Sequence, residues 1–147
     1  MIKDELDWKI LEILQDNARL TYAEIGRRVG LSPSATAERV QRMEDEGIIK
    51  KYSAELDYKK AGYSLSAYIN ISFKDDDFKL FLKSIDDFPE IINCSRVTGK
   101  DCLVMKSVLK DSAHLENLVD RLIKFGAPST SVVLSDVVLN GNIVKPE

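Results

Sequence analysis

The chain has 147 residues, 44% of them hydrophobic and 31% charged, with a formal net charge of -3. That length holds one ordinary domain or two small ones, and seven glycines with four prolines are too few for a low-complexity chain. No run nears the roughly 18 to 20 apolar residues of a membrane span. Asp4, Glu5 and Asp7 stand where a signal peptide would carry a basic flank, so a cytoplasmic protein with no membrane partner is expected.

Residues 4–48 read as three short helices. Leu6, Ile10, Ile13 and Leu14 recur at helical spacing in the first, with Asp4 and Asp7 placed to cap its start. The second opens on a capping box, Thr21 with Glu24 three residues on, and stops at Gly30. The third follows after Leu31, with Ser32 as N-cap and Pro33 at the first helical position. Thr36, Val40 and Met43 form its inner stripe, and Gly47 ends it.

The period then changes. Ile48 to Leu56 reads as a strand and Asp57 to Gly62 as a connector. From Ser64 the alternation is clean, with Leu65, Ala67, Ile69, Ile71 and Phe73 on one face of a half-buried strand. A helix begins at Asp75-Asp76-Asp77 and buries Phe78, Phe81, Leu82 and Ile85. Strands at Ile91 to Val97 and Leu103 to Leu109 flank the turn Thr98-Gly99-Lys100-Asp101. A second helix spans about Ser112 to Phe125, and a last strand about Thr130 to Leu139, with Asn140-Gly141 marking the end of order.

The fold class is therefore α+β. An N-terminal (winged) helix-turn-helix domain over residues 1–50 is joined by a hinge strand and linker, 51–63, to a ferredoxin-like βαββαβ sandwich at 64–140, before a tail at 141–147. Cys94 and Cys102 read as reduced, largely buried thiols, and His114 has no partner at metal-ligand spacing. Neither a cofactor motif nor a catalytic constellation is legible, so an enzyme built on the sandwich is only a remote alternative.

Burying Ile25, Val29, Leu31, Thr36 and Val40 leaves Ser34, Ala35, Ala37, Glu38 and Gln41 on the outer face of the third helix, with Arg39 and Arg42 beside them. Small residues let a helix sit deep in a major groove, while serine, glutamine and arginine bond base edges or phosphates. Ser32 and the free amides near it can meet a phosphate. Across residues 27–42 four arginines, Arg27, Arg28, Arg39 and Arg42, face one acid, Glu38, and Lys50 and Lys51 follow. This local excess of positive charge matters more for docking on double-stranded DNA than the acidic sum of the chain.

The sequence also resembles the Lrp/AsnC (leucine-responsive regulatory protein, feast-famine) family of transcription factors. The marks are Leu6-Asp7 with Ile10-Leu11, the run Gln15 to Arg19, Ile25-Gly26-Arg27-Arg28-Val29-Gly30-Leu31-Ser32, Glu38-Arg39-Val40, Met43 to Ile49, and Val97-Thr98-Gly99. The resemblance implies a DNA-binding regulator, nucleoid-associated, that dimerises through the sheet of its second domain and assembles further, to a tetramer or octamer. It also implies a small effector, usually an amino acid, held between copies near the Val-Thr-Gly turn. By position the effector residues are Thr98, Gly99, Lys100, Asp101 and Cys102, with Ser131, Val132 and Val133 of the last strand. The family commonly has an aspartate where Cys102 stands, and here the acid is one place earlier at Asp101. The alternative within DNA binding is an architectural protein that bends or wraps the duplex without an effector.

Overall fold

The computed structural model describes residues 2, 4–74, 76–137 and 141–146. It divides into two units, residues 1–54 with 138–147, and residues 55–137.

In the first unit, α1 (Glu5–Asp16), α2 (Tyr22–Val29) and α3 (Pro33–Asp45) begin on side-chain caps. Asp4 accepts from the Asp7 amide at 3.0 Å. Thr21 and Glu24 form the reciprocal capping box, and Ser32 accepts from the Ala35 amide with Pro33 in the first turn. Gly26 is fixed by space. A Cβ there would lie 2.6 Å from the Leu31 carbonyl oxygen and 2.8 Å from Thr36 Oγ1, so only glycine lets α2 and α3 approach this closely. Ile10, Leu14, Ile25, Val40 and Met43 form the core.

One charged residue lies within the helical interface. Asp7 is 1% exposed, one turn before Ile10 on the inner stripe of α1. Its carboxylate accepts from Arg39 at 2.8 Å and Arg42 at 2.6 Å, while Arg39 also reaches Asp4 at 2.7 Å. The hydrogen bond from Arg39, aided by the Asp7 amide, holds the Asp4 carboxyl below the usual carboxylate range. A desolvated carboxylate is tolerated only with such partners, so the pairs fix how α1 sits on α3.

Ile48 to Leu56 corrects an expectation: it forms no strand. The Ile48 and Ile49 amides both bond back to the Met43 carbonyl, and residues 50–56 have no ladder partner among the described residues. A strand exists only by pairing, and among the described residues no segment forms a ladder with this one. Nor does order end at residue 141. The Gln15 side chain donates to the Ile143 carbonyl at 3.1 Å and accepts from its amide at 2.7 Å. Asn142 donates to Asp16, and Lys145 pairs with Glu5 at 2.6 Å, so the tail is strapped along α1.

The second unit is a four-stranded antiparallel sheet ordered β2-β3-β1-β4, from β1 (Leu65–Phe73), β2 (Ile91–Arg96), β3 (Leu103–Leu109) and β4 (Gly126–Val132). With α4 (Asp77–Lys83) and α5 (Ser112–Ile123), this is the ferredoxin-like arrangement. Ala67, Ile69 and Ile71 of β1 pack with Leu103, Met105 and Leu109 of β3 against Phe81, Leu118 and Leu122 of the helices. Leu82, expected inside, is exposed on α4, which gives way after seven residues to a 3₁₀ turn at Ile85–Asp87.

Strand β4 starts earlier than the sequence suggested. Gly126 pairs with Phe73, where a Cβ would stand 2.3 Å from the Ser72 carbonyl, and Pro128 pairs with Ile71. Proline has no amide to donate, but β4 is an edge strand and needs none on its open side. Strand β4 also ends earlier, at Val132: residues 133–137, expected to continue it to Leu139, form no strand. Val138, Leu139 and the turn residue Asn140 lie outside the described residues, as does Asp75. Cys94, expected to be buried, is exposed on the edge strand β2.

Behind the sheet, Glu90 accepts from Arg121 and from His114 Nε2. Burial pushes its carboxyl up, but its own amide, His114 and the charge of Arg121 outweigh that and hold it below the ordinary 4.5.

Two outcomes follow from these contacts. Asp7→Ala lowers the unfolding free energy of the first unit by about 3 kcal/mol, read through the fluorescence of Trp8, the single tryptophan. Arg42→Ala then costs less in that background than in the parent chain. A loss under about 0.5 kcal/mol would mark the pairs as ordinary surface bridges. The second outcome concerns acid. A carboxyl depressed in the folded state stabilises fully above its unfolded value and loses that contribution as pH falls through the folded one. Unfolding of the second unit therefore becomes easier below pH 4.5, and Glu90→Gln flattens the decline in denaturant titrations.

Candidate nucleic-acid interface and effector turn

The third helix presents four faces in turn. Thr36, Val40 and Met43 are buried, and on the opposite side Ser34, Glu38, Gln41 and Asp45 recur at helical spacing, all exposed. Ala35 and Ala37 are half-buried on the flanks. The outward stripe is thus polar and carries no cation.

Arg39 and Arg42 lie on the flank facing α1. The expectation that their guanidinium groups stand free is corrected by the ion pairs to Asp4 and Asp7. The helical angle explains this: positions 39 and 42 fall beside the outward stripe rather than at its centre, next to a buried carboxylate. Sequence reasoning took Asp4 and Asp7 as caps only. The signal that could have found the second role is Asp7 falling on the apolar stripe with Ile10 and Leu14, where an acid requires a cation.

The remaining cations flank α3. Arg27 and Arg28, in the last turn of α2, are exposed, as are Lys50 and Lys51 beyond its end. Ser32 is exposed at the front of the helix, its hydroxyl 3.1 Å from that of Ser34. The Gln41 amide donates to Asp45 at 3.0 Å. A polar, hydrogen-bonding ridge, with exposed cations on the elements that precede and follow α3, suits a major groove bordered by phosphates.

In the second unit the turn joins β2 to β3. The Val97 amide donates to the Cys102 carbonyl at 3.1 Å, and the Cys102 amide to the Ile71 carbonyl at 2.9 Å. Thr98, Gly99 and Lys100 are exposed, Asp101 and Cys102 half-buried. Gly99 has φ 116°, a conformation that side chains other than glycine's disfavour, with open space around it.

The other expected effector residues lie elsewhere. Ser131 is opposite Tyr68 and Val132 opposite Ala67, and the Val133 amide bonds the Ser66 carbonyl. The turn docks at Ile71, four residues away along β1, which is about 13 Å, with two further strand spacings of about 4.8 Å to cross. Ser131 and Val132 also point to opposite faces of the sheet. One chain therefore does not bring Thr98–Cys102 together with Ser131–Val133. Among the described residues no group of three His, Cys, Asp or Glu could hold a metal ion, and no helix is long and apolar enough to cross a membrane.

Comparison with known proteins agrees with this architecture. Residues 3–50 match the winged helix-turn-helix DNA-binding family, and residues 66–143 match the Lrp/AsnC ligand binding domain. The chain is 32% identical to the HTH-type transcriptional regulator LrpC of Bacillus subtilis, over 91% of this chain and 93% of the relative. The solved structure of LrpC matches with a TM-score of 0.89 at 32% identity, covering 94% of this chain and 99% of that one. The transcriptional regulator NMB0573 of Neisseria meningitidis, solved as an L-Met complex, matches at 0.90 with 31% identity over 96% of both chains. AsnC of E. coli matches at 0.85 with 27% identity, over 95% of this chain and 97% of its own. A helix-turn-helix unit followed by a ferredoxin-like ligand-binding unit, with relatives of this kind along nearly all of its length, makes the chain a member of the Lrp/AsnC family of transcriptional regulators, which are not enzymes.

Proposed function

We propose that this regulator binds double-stranded DNA in the cytoplasm as a dimer or larger homo-oligomer, with α3 in the major groove, and that an amino acid or similar small effector modulates it. The observation that carries the DNA-binding site is the exposed ridge of Ser34, Glu38 and Gln41, with Arg27 and Arg28 exposed in the last turn of the preceding helix and Lys50 exposed after α3. In this reading the ridge meets base edges, with Ala35 and Ala37 giving the helix a slim front. The flanking cations and Ser32 meet phosphates. Arg39 and Arg42 act by holding α3 on α1.

Assembly is supported by two features of the single chain. Residues 50–56 have no strand partner among the described residues, and the effector residues are divided between distant parts of one sheet. A second copy could supply both a neighbouring strand and the other half of a cleft. The L-Met complex of NMB0573 supports an amino-acid effector. Cys102, standing where the family commonly has an acid, favours the second reading, an architectural protein that bends or wraps DNA without an effector.

Arg27→Ala and Arg28→Ala each weaken binding to all duplexes by about threefold to tenfold, and each lowers the slope of log affinity against log salt by about one. Fluorescence anisotropy over a salt series reads both, and unchanged binding in both variants contradicts the assignment. For the effector unit, Gly99→Val changes the oligomer seen by sedimentation or the response of DNA binding to an amino-acid panel, and leaves the Trp8-reported unfolding of the first unit unaltered. If assembly and response both match the parent, the turn has no part in the site.

A further inference from the structure

Resting on the DNA-binding reading, the geometry points to a specific role for Glu38: we propose that it is a base-reading residue, accepting a hydrogen bond from the amino group of a cytosine or adenine at one fixed position in each half-site. Glu38 occupies the middle of the outward stripe of α3, one turn after Ser34 and one turn before Gln41. It is exposed and has no hydrogen bond or ion pair among the described residues. The natural partner for a glutamate on a helix is a cation four residues later, and Arg42 stands there. Arg42 is instead drawn to Asp7 at 2.6 Å, and Arg39, the next residue, to Asp4 and Asp7. The buried acid of α1 thus holds the cation that would otherwise pair with Glu38.

An unpaired carboxylate in the middle of a DNA-facing ridge is repelled by phosphates unless a donor meets it. The major groove offers donors of one kind only, the N4 amino group of cytosine and the N6 amino group of adenine. Guanine presents N7 and O6, and thymine O4, all of them acceptors that a carboxylate cannot bond. The rest of the stripe agrees with this polarity. The Gln41 amide nitrogen gives one of its two hydrogens to Asp45 at 3.0 Å, and its carbonyl oxygen accepts no hydrogen bond among the described residues. With its arginines withdrawn, the ridge also lacks the bidentate guanine reader that is the commonest specific contact. Among the ridge residues the Glu38 carboxylate can only accept, so Glu38 is the residue that makes a wrong base costly.

The test is selection of duplexes from a random pool by the full-length parent, Glu38→Ala and Glu38→Gln, followed by affinity measurements on the selected site and its single-base variants. Both variants are first checked for the parent's Trp8-reported unfolding. The parent enriches cytosine or adenine at one position of each half-site, and replacing that base with guanine weakens it about tenfold or more. Glu38→Ala loses the preference at that position alone, with less than about a twofold difference between bases there, and keeps the remaining preferences. Glu38→Gln, which can both donate and accept, shifts the preference rather than erasing it. The inference is overturned if Glu38→Ala selects the parent's sequence at every position while binding all duplexes more tightly, the signature of a carboxylate that only repels. If the parent itself enriches and retains no duplex, the DNA-binding reading fails and this inference with it.

Discussion

A single buried carboxylate organises the first unit. Asp7 lies in the interface between α1 and α3, and the two guanidinium groups that neutralise it come from the helix whose opposite face is exposed. Removing a charge from water is costly unless it is paired, so this interaction decides where two of the four local arginines point. It sets the seating of α3, and it leaves the outward ridge without positive charge. The electrostatic attraction for a duplex then falls to Arg27, Arg28 and Lys50 at the borders. Positioning and reading are thereby carried by different residues, as a protein that must hold the backbone and discriminate bases requires.

The second unit solves a different problem. Its sheet buries one face under α4 and α5 through Ala67, Ile69, Ile71, Leu103 and Met105, a hydrophobic arrangement that fixes register because a slip of one residue would expose all of them. The helix-free face carries Tyr68, Asn70, Ser129 and Ser131, short or amphipathic side chains, with Lys106 opposite Tyr68 and its ammonium over the Tyr68 ring. The turn at Gly99 and the end of β4 lie at different ends of this sheet, so a ligand touching both must bridge copies. Ligand response and assembly are coupled by that geometry in the proposed function.

Much of this was legible in the residues because the signals were local. The capping box at Thr21 and Glu24, the Ser32-Pro33 start and the alternation from Leu65 to Phe73 each state their structure within a few positions. Gly26 could be read as a point of close approach, and the distance to Leu31 shows how close. What escaped depended on distant partners. Asp7 reads as a helix cap until Arg39 and Arg42 are placed beside it. Ile48 to Leu56 has strand composition, but one chain provides no neighbour to pair with. Pro128 reads as a stop until β4 is seen to be an edge, where a missing amide is harmless. The strap at Asn142 to Lys145 is held by two bonds between Gln15 and the Ile143 backbone and by two polar side-chain pairs, which leave no periodicity to detect. The division of the effector residues between two ends of the sheet is likewise a matter of strand order, which periodicity does not encode.

The central claim is that Arg39 and Arg42 stay committed to Asp7 while the outward ridge and its flanking cations engage the duplex. Side-chain NMR of the guanidinium groups, recorded on the full chain with and without a bound duplex, tests it most directly. The account predicts that the Arg39 and Arg42 resonances hold their positions while those of Arg27 and Arg28 shift on binding. Shifts confined to Arg39 and Arg42, with Arg27 and Arg28 unmoved, would mean that the buried pairs break to grip DNA, and would contradict it.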